Sequence, residues 1–179
     1  MKPLEKAKFI SNWIKNYTEM MPSKAESLIV GISGGIDSSV SSTLSAMTGL
    51  KTIVLSMPIK QKPSQHDLSL KHQEWLVKNF KNVEVHTLSL NRLFETFENT
   101  LSKFDNELGL ANSRARLRMT TLYQVAAANQ GIVVGTGNKV EDFGVGFYTK
   151  YGDGGVDISP LADCNKTEVW EMGKELNIL

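Results

Sequence analysis

Four short stretches hold the residues of this chain whose types and spacing could do chemistry. The first, Ser33-Gly34-Gly35-Ile36-Asp37-Ser38-Ser39, follows the apolar run Leu28-Ile29-Val30. Two adjacent glycines let backbone approach an anion closely. A strand that breaks into a glycine turn and then a helix presents backbone N–H groups to a phosphate. Ser33, Ser38 and Ser39 add hydroxyl donors. A carboxylate repels phosphate, so Asp37 makes sense there with a divalent cation between them. The turn lacks the Gly-Lys-Ser/Thr ending of a Walker A loop and the Gly-x-Gly-x-x-Gly of a dinucleotide fingerprint.

The second stretch is Asn112-Ser113-Arg114-Ala115-Arg116-Leu117-Arg118-Met119. Residues two apart on a helix do not share a face, so its three arginines splay, some toward a ligand and another toward solvent. The third, Gly135-Thr136-Gly137-Asn138-Lys139-Val140-Glu141, follows Ile132-Val133-Val134, which puts Thr136 and Glu141 beyond a strand end. The fourth, Phe147 to Asp157, sets aromatics, Lys150, Asp153 and Asp157 on glycine-rich backbone.

The elements that must position these residues follow from periodicity. Leu4, Ala7, Ile10, Trp13, Ile14 and Tyr17 recur at helical spacing over 4–20, which makes them a buried face. Strands are expected over 27–32, 51–57, 83–88 and 132–134, and helices over 38–48, 66–80, 90–104 and 112–129. The 112–129 helix would carry its three arginines in its first two turns. Residues 138–157 are too irregular for a core element. Asn165 with Glu168 three residues later is an N-cap signal for a last helix. Strands alternating with helices at this interval predict an α/β fold, a doubly wound parallel sheet with helices on both faces. Ligands in such sheets bind beyond the carboxyl ends of the strands, where the glycine turn and Thr136 fall.

Composition narrows the class. With 179 residues, 41% hydrophobic and 22% charged, the chain is expected to form one domain, 1–179, with a sizeable core. A net charge of +1 points to no nucleic-acid or membrane partner. The single cysteine, Cys164, fits a reducing compartment, and the expectation is cytoplasmic. His66, His72 and His86 show no metal-ligand spacing and are expected at the surface.

The Ser-Gly-Gly-Ile-Asp-Ser turn resembles the pyrophosphate loop of the N-type ATP pyrophosphatases, a superfamily with a Rossmann-like, adenine nucleotide alpha hydrolase-like fold. The other three stretches, with Pro160-Leu161 through Lys166, are similar in kind and order to ammonia-dependent NAD synthetase. Thr149-Lys150-Tyr151-Gly152-Asp153-Gly154-Gly155 is the most specific of them. The resemblance implies ATP-dependent amidation of deamido-NAD by ammonia through a deamido-NAD adenylate, giving NAD, AMP and pyrophosphate. It implies Mg2+, ATP as cosubstrate and a homodimer. No enzyme nucleophile is needed, which agrees with the lack of a Cys/His or Ser/His/Asp set; positioning and charge neutralisation would carry the catalysis.

By this resemblance Gly31, Ile32, Ser33, Gly34, Gly35, Ile36, Asp37 and Ser38 hold ATP, with Met57, Arg118, Thr136 and Lys166. Gln65 would lie near the adenine. Asp37 and Glu141 bind the metal. Arg116, Lys150, Asp153 and Asp157 contact deamido-NAD. Asp153 and Lys166 are the catalytic pair, one orienting ammonium or taking its proton, the other neutralising pyrophosphate. From the residues alone, Glu141 is equally a surface carboxylate, Asp153 a turn residue and Lys166 an exposed lysine. Tyr17 reads better as core than as a ring stacked on pyridine. The resemblance also implies a C-terminal tail beyond Leu179. The alternatives are another N-type ATP pyrophosphatase, an adenylating ligase or tRNA thiolase, or a nucleotide-binding module without full turnover.

Overall fold

In the computed structural model, which describes residues 1–60 and 63–178, four parallel strands make one sheet. The strands are β1 (Ser27–Ile32), β2 (Lys51–Ser56), β3 (Val83–Thr87) and β4 (Gly131–Val134), in the order β3-β2-β1-β4. The helices are α1 (Pro3–Met20), α2 (Ile36–Met47), α3 (Pro63–Asn79), α4 (Asn91–Thr100), α5 (Glu107–Ala128) and α6 (Lys166–Glu175).

Alternation along β1 splits the core. Leu28 and Val30 pack with Ile10 and Ile14 of α1, Val40 and Leu44 of α2, and Val169 and Met172 of α6. Ile29 turns the other way and joins Ile53, Leu55 and Val133 under Phe94 of α4 and Ala126 of α5. Each such large apolar side chain contributes roughly 1.5–3 kcal/mol by leaving water. Ile32 and Val54 meet Leu76 of α3 on the first face. The chain therefore winds from β1 outward to β3 over one face, then returns over the other through α4 and α5 to β4. The winding reverses between β1 and β4, the position at which such sheets hold ligands.

Helix α2 sets Val40 and Leu44 among mostly small residues against the sheet and its neighbours. Its Ser39, Ser42, Thr43 and Ser45 hydroxyls, all buried, bond back to the carbonyls of Gly35, Ser39, Ser39 and Ser41 at 2.8–3.0 Å. The small hydroxylated residues allow close approach, and these bonds satisfy the polar atoms that burial would otherwise penalise.

Three expectations need correction. The buried face of α1 is Ala7, Ile10, Ser11, Ile14 and Thr18, whereas Leu4, Trp13 and Tyr17 are exposed. Small residues let α1 sit against α2 and α6, which turns the bulky rings outward. Helix α5 starts five residues early because Asn106 caps it, accepting from the Gly109 N–H at 2.8 Å. Its arginines consequently lie beyond the first turn. His72 is buried at 4% exposure, with Nε2 2.9 Å from Ser42 Oγ and its ring stacked on Trp75. Burial pushes its pKa down to about 4. The last helix bears out its N-cap signal, with the Glu168 carboxylate accepting from the Asn165 N–H at 2.8 Å.

Candidate functional site

Parallel pairing sets Val30 beside Val134, so the segments that leave β1 and β4 run out side by side. The first is the glycine turn. Gly34 has φ +87°, a conformation that a side chain disfavours. Ser38 Oγ donates to the Gly35 carbonyl at 3.0 Å and accepts from the Ser33 N–H at 3.2 Å. These bonds shape the loop over the N-terminus of α2, where the helix dipole favours an anion.

The segment after β4 is a single seven-residue π-helical turn, Lys139–Val145, where sequence reading expected only irregular backbone. Asn138 caps it and holds Glu141 toward the glycine turn. At Gly137 the Asp142 carboxylate packs against the backbone where a Cβ would stand, so a side chain there would displace it. Lys166, the first residue of α6, reaches into the gap from a third element. Its ammonium donates to Asp37 Oδ2 and, at 2.9 Å, to Glu141 Oε1. Burial alone would lower the Lys166 pKa, but the two carboxylates outweigh it and the net shift is upward. Asp142 is pushed up by burial first, then by Asp153, Glu141 and Asp37. Acidic charge is thus concentrated beside the glycine turn.

Two neighbouring cavities open at this rim. One, of about 190 Å³, is lined by Ser33, Gly35, Asp37, Ser38, Thr136, Glu141 and Asp153, with Asp142 and Phe147. The other, of about 410 Å³, shares Ser33, Ser38, Thr136 and Asp153 and adds Gly31, Ile32, Met57 and Arg118. Ala115, Met119, Leu122 and Val156 give the larger cavity an apolar wall. Asp153 borders both, and its Oδ1 accepts from the Thr149 N–H at 2.9 Å.

The arginines splay as expected. Arg118 turns to the cavity and donates from Nε to the Met57 carbonyl at 3.0 Å; burial and then Arg114 lower its pKa. Arg116 donates to the Lys150 carbonyl at 3.3 Å, and Arg114 stacks over Phe94 with 5.3 Å to the ring centroid.

Other candidate residues stand apart from the cavities. Lys150 lies over its neighbour Tyr151 at 5.1 Å. Asp157 accepts from the Val133 N–H at 2.7 Å and from Tyr123 Oη at 3.0 Å, a bond that braces the start of the 157–161 segment against β4. Gly34 and Ile36 belong to the turn without lining either space, and Ile36 packs against the core. The Gln65 side chain lies outside the described residues. Asn138, Asp142 and the apolar wall escaped sequence reading. The signal for Asn138 was available, since Asn just before a turn that carries a candidate ligand is a capping position.

The donor set suits Mg2+ in chemistry. Asp37 and Glu141 are hard oxygen donors that converge on one cationic group, the Lys166 ammonium. Among the described residues no three His, Cys, Asp or Glu side chains form a cage of their own. Mg2+ is commonly held by one or two carboxylates with substrate phosphates and water.

Residues 6–179 match the model of a family described as NAD synthase. The NH3-dependent NAD+ synthetase of Carboxydothermus hydrogenoformans is 35% identical over 97% of this chain and 70% of that protein. That of Methanosarcina acetivorans is 35% identical over 94% of the chain and 65% of the relative. The chain thus spans about two thirds of the length of these curated relatives. Among solved structures, an NMN synthetase from Francisella tularensis superposes with a TM-score of 0.92 and 35% identity, covering 100% of this chain and 72% of that one. An NH3-dependent NAD synthetase from Campylobacter jejuni gives 0.87 and 27%, covering 99% and 75%.

Proposed function

The chain belongs to the NAD synthase family, and on that premise we propose that it carries the site for ATP-dependent amidation of deamido-NAD by ammonia. The observation that supports this most is the convergence of Asp37, Glu141 and Lys166 beside the glycine turn, next to a cavity walled by Arg118 and Asp153.

The nicotinate carboxylate attacks the α-phosphorus of ATP, and the bond to the bridging oxygen breaks to release pyrophosphate. Ammonia then attacks the acyl-adenylate carbonyl, AMP leaves with the former carboxylate oxygen, and the surplus proton is lost. The turn from Gly31 to Ser38 and Thr136 bind the ATP phosphates. Met57 and Arg118 border the space for the rest of the nucleotide. Lys166 offsets charge on the departing pyrophosphate. Asp37 and Glu141 would hold Mg2+, which supplies charge neutralisation on the same phosphates when bound. Asp153 Oδ2 accepts from no described residue, so it can orient ammonium and take its proton at the mouth of both cavities. Arg116, Lys150 and Asp157 would bind the deamido-NAD; their setting outside the cavities fits a contact made across a homodimer. The enzyme works in the cytoplasm in this reading.

The test is to incubate the protein with ATP, Mg2+, ammonium and deamido-NAD and to follow NAD, AMP and pyrophosphate by chromatography. Equimolar release of the three is expected, and ATP cleavage without any NAD overturns the reading. The likeness to an NMN synthetase favours a second reading, in which the deamido mononucleotide is amidated instead. Comparing kcat/KM for the two nicotinate nucleotides separates them.

A further inference from the structure

We propose that Asn138 is a positioning residue that locks the Asp37 and Glu141 carboxylates into a single cation-facing pair. Its side chain is fully buried and its amide serves both partners. Oδ1 accepts from the N–H groups of Val140 at 3.0 Å and Glu141 at 3.1 Å, which fixes the start of the turn that carries Glu141. Nδ2 donates to Asp37 Oδ1 at 3.1 Å. That bond holds the Asp37 carboxylate with Oδ2 directed to the position where Lys166 donates. One rigid amide therefore sets both the spacing of the two elements and the rotation of one carboxylate.

The residue type carries the argument. Asn, Asp and Ser cap a helical turn about equally well, since each supplies the accepting oxygen. Asn alone of the three adds an N–H donor on the far side. Asp would put like charge against Asp37, and Ser would leave its Oδ1 without the amide donor. The cap explains a small polar residue at 138; the bond to Asp37 explains the amide. Partners that orient metal-binding carboxylates typically account for 10–100-fold in metal affinity. The inference rests on the Mg2+–ATP reading of this site.

The test uses Mn2+ as a paramagnetic probe, titrated into the protein with a non-cleavable α,β-methylene ATP. N138S keeps the capping oxygen and lacks the donor, while N138A lacks both. Both variants are expected to bind Mn2+ about 10-fold more weakly, with N138A alone losing stability from the missing cap in urea unfolding. In steady state the half-saturating Mg2+ rises by the same factor while the KM for ammonium holds. N138S binding Mn2+ as tightly as wild type overturns the proposal and leaves Asn138 a cap only. Should N138S not fold, N138T, which also supplies a capping oxygen, carries no amide donor and adds no charge, takes its place under the same criterion. A wild-type protein that binds no Mn2+ with the analogue refutes instead the metal reading on which the proposal stands.

Discussion

Lys166 shows how a residue's setting decides its role. An exposed lysine in the first turn of a helix sits where the dipole mildly disfavours it. Two carboxylates compensate, and in the proposed reaction their position beside the glycine turn keeps the ammonium near the pyrophosphate. Replacing Lys166 with Met is expected to lower kcat for NAD formation by about 10²–10³, the loss usual for a group aimed at developing charge. The KM for deamido-NAD should change little; a fall of less than threefold in kcat would remove Lys166 from the catalytic set. His72 makes a different prediction. Its folded pKa of about 4 lies below the ordinary 6.5 because burial excludes the charged ring. The unfolded chain binds the extra proton first, so stability is full above pH 6.5 and falls as pH drops toward 4. The loss attributable to this ring is about 3 kcal/mol at most. Urea unfolding of wild type and H72Q between pH 4 and 7 should show a shallower slope for the variant.

At the scale of elements, the site depends on where helices begin. Asn106 starts α5 early enough to carry Arg118 to the Met57 carbonyl, and the Asn165–Glu168 pair starts α6 with Lys166 in its first turn. N106A should cost about 1 kcal/mol of stability, the usual value of a lost cap. Chemical denaturation measures it, and activity per folded molecule should be retained because Asn106 touches neither cavity. Capping signals were readable where they stood at an expected boundary, as at Asn165. The one at Asn106 lies six residues before the periodic segment that begins at Asn112, so nothing local ties it to that helix. The turn at 139–145 was illegible for another reason: a one-turn π-helix has no repeat long enough to leave a hydrophobic period.

At the scale of the whole molecule, several large apolar side chains face outward. Phe104, Leu108, Phe143, Val145 and Phe147 are all more than two-thirds exposed. Apolar surface of this kind marks interaction sites when it is contiguous. The proposed homodimer would cover part of it and bring Arg116 and Asp157 toward a partner's substrate. Sedimentation equilibrium should find a dimer at micromolar protein, with F147S or F104S shifting it toward monomer. A strictly monomeric chain that still forms NAD would discard the shared site.

What the sequence determined by itself was local: the strands, because buried runs and alternation are written in consecutive residues, and the glycine turn, because its anion-binding shape depends on adjacent glycines. The order of βα units also carried the parallel sheet and the rim at which sheets of this kind hold ligands. Only the tertiary structure decided which side chains meet there. Asp37 and Asn138 are 101 residues apart, and Asp37 and Lys166 are 129 apart. No spacing rule spans such distances; the reversal of winding between β1 and β4 does, by bringing the ends of distant segments together. The same packing withdrew Tyr17 from the core and His72 from the surface, because a periodic pattern tells that a helix has a buried face and its neighbours choose which face that is.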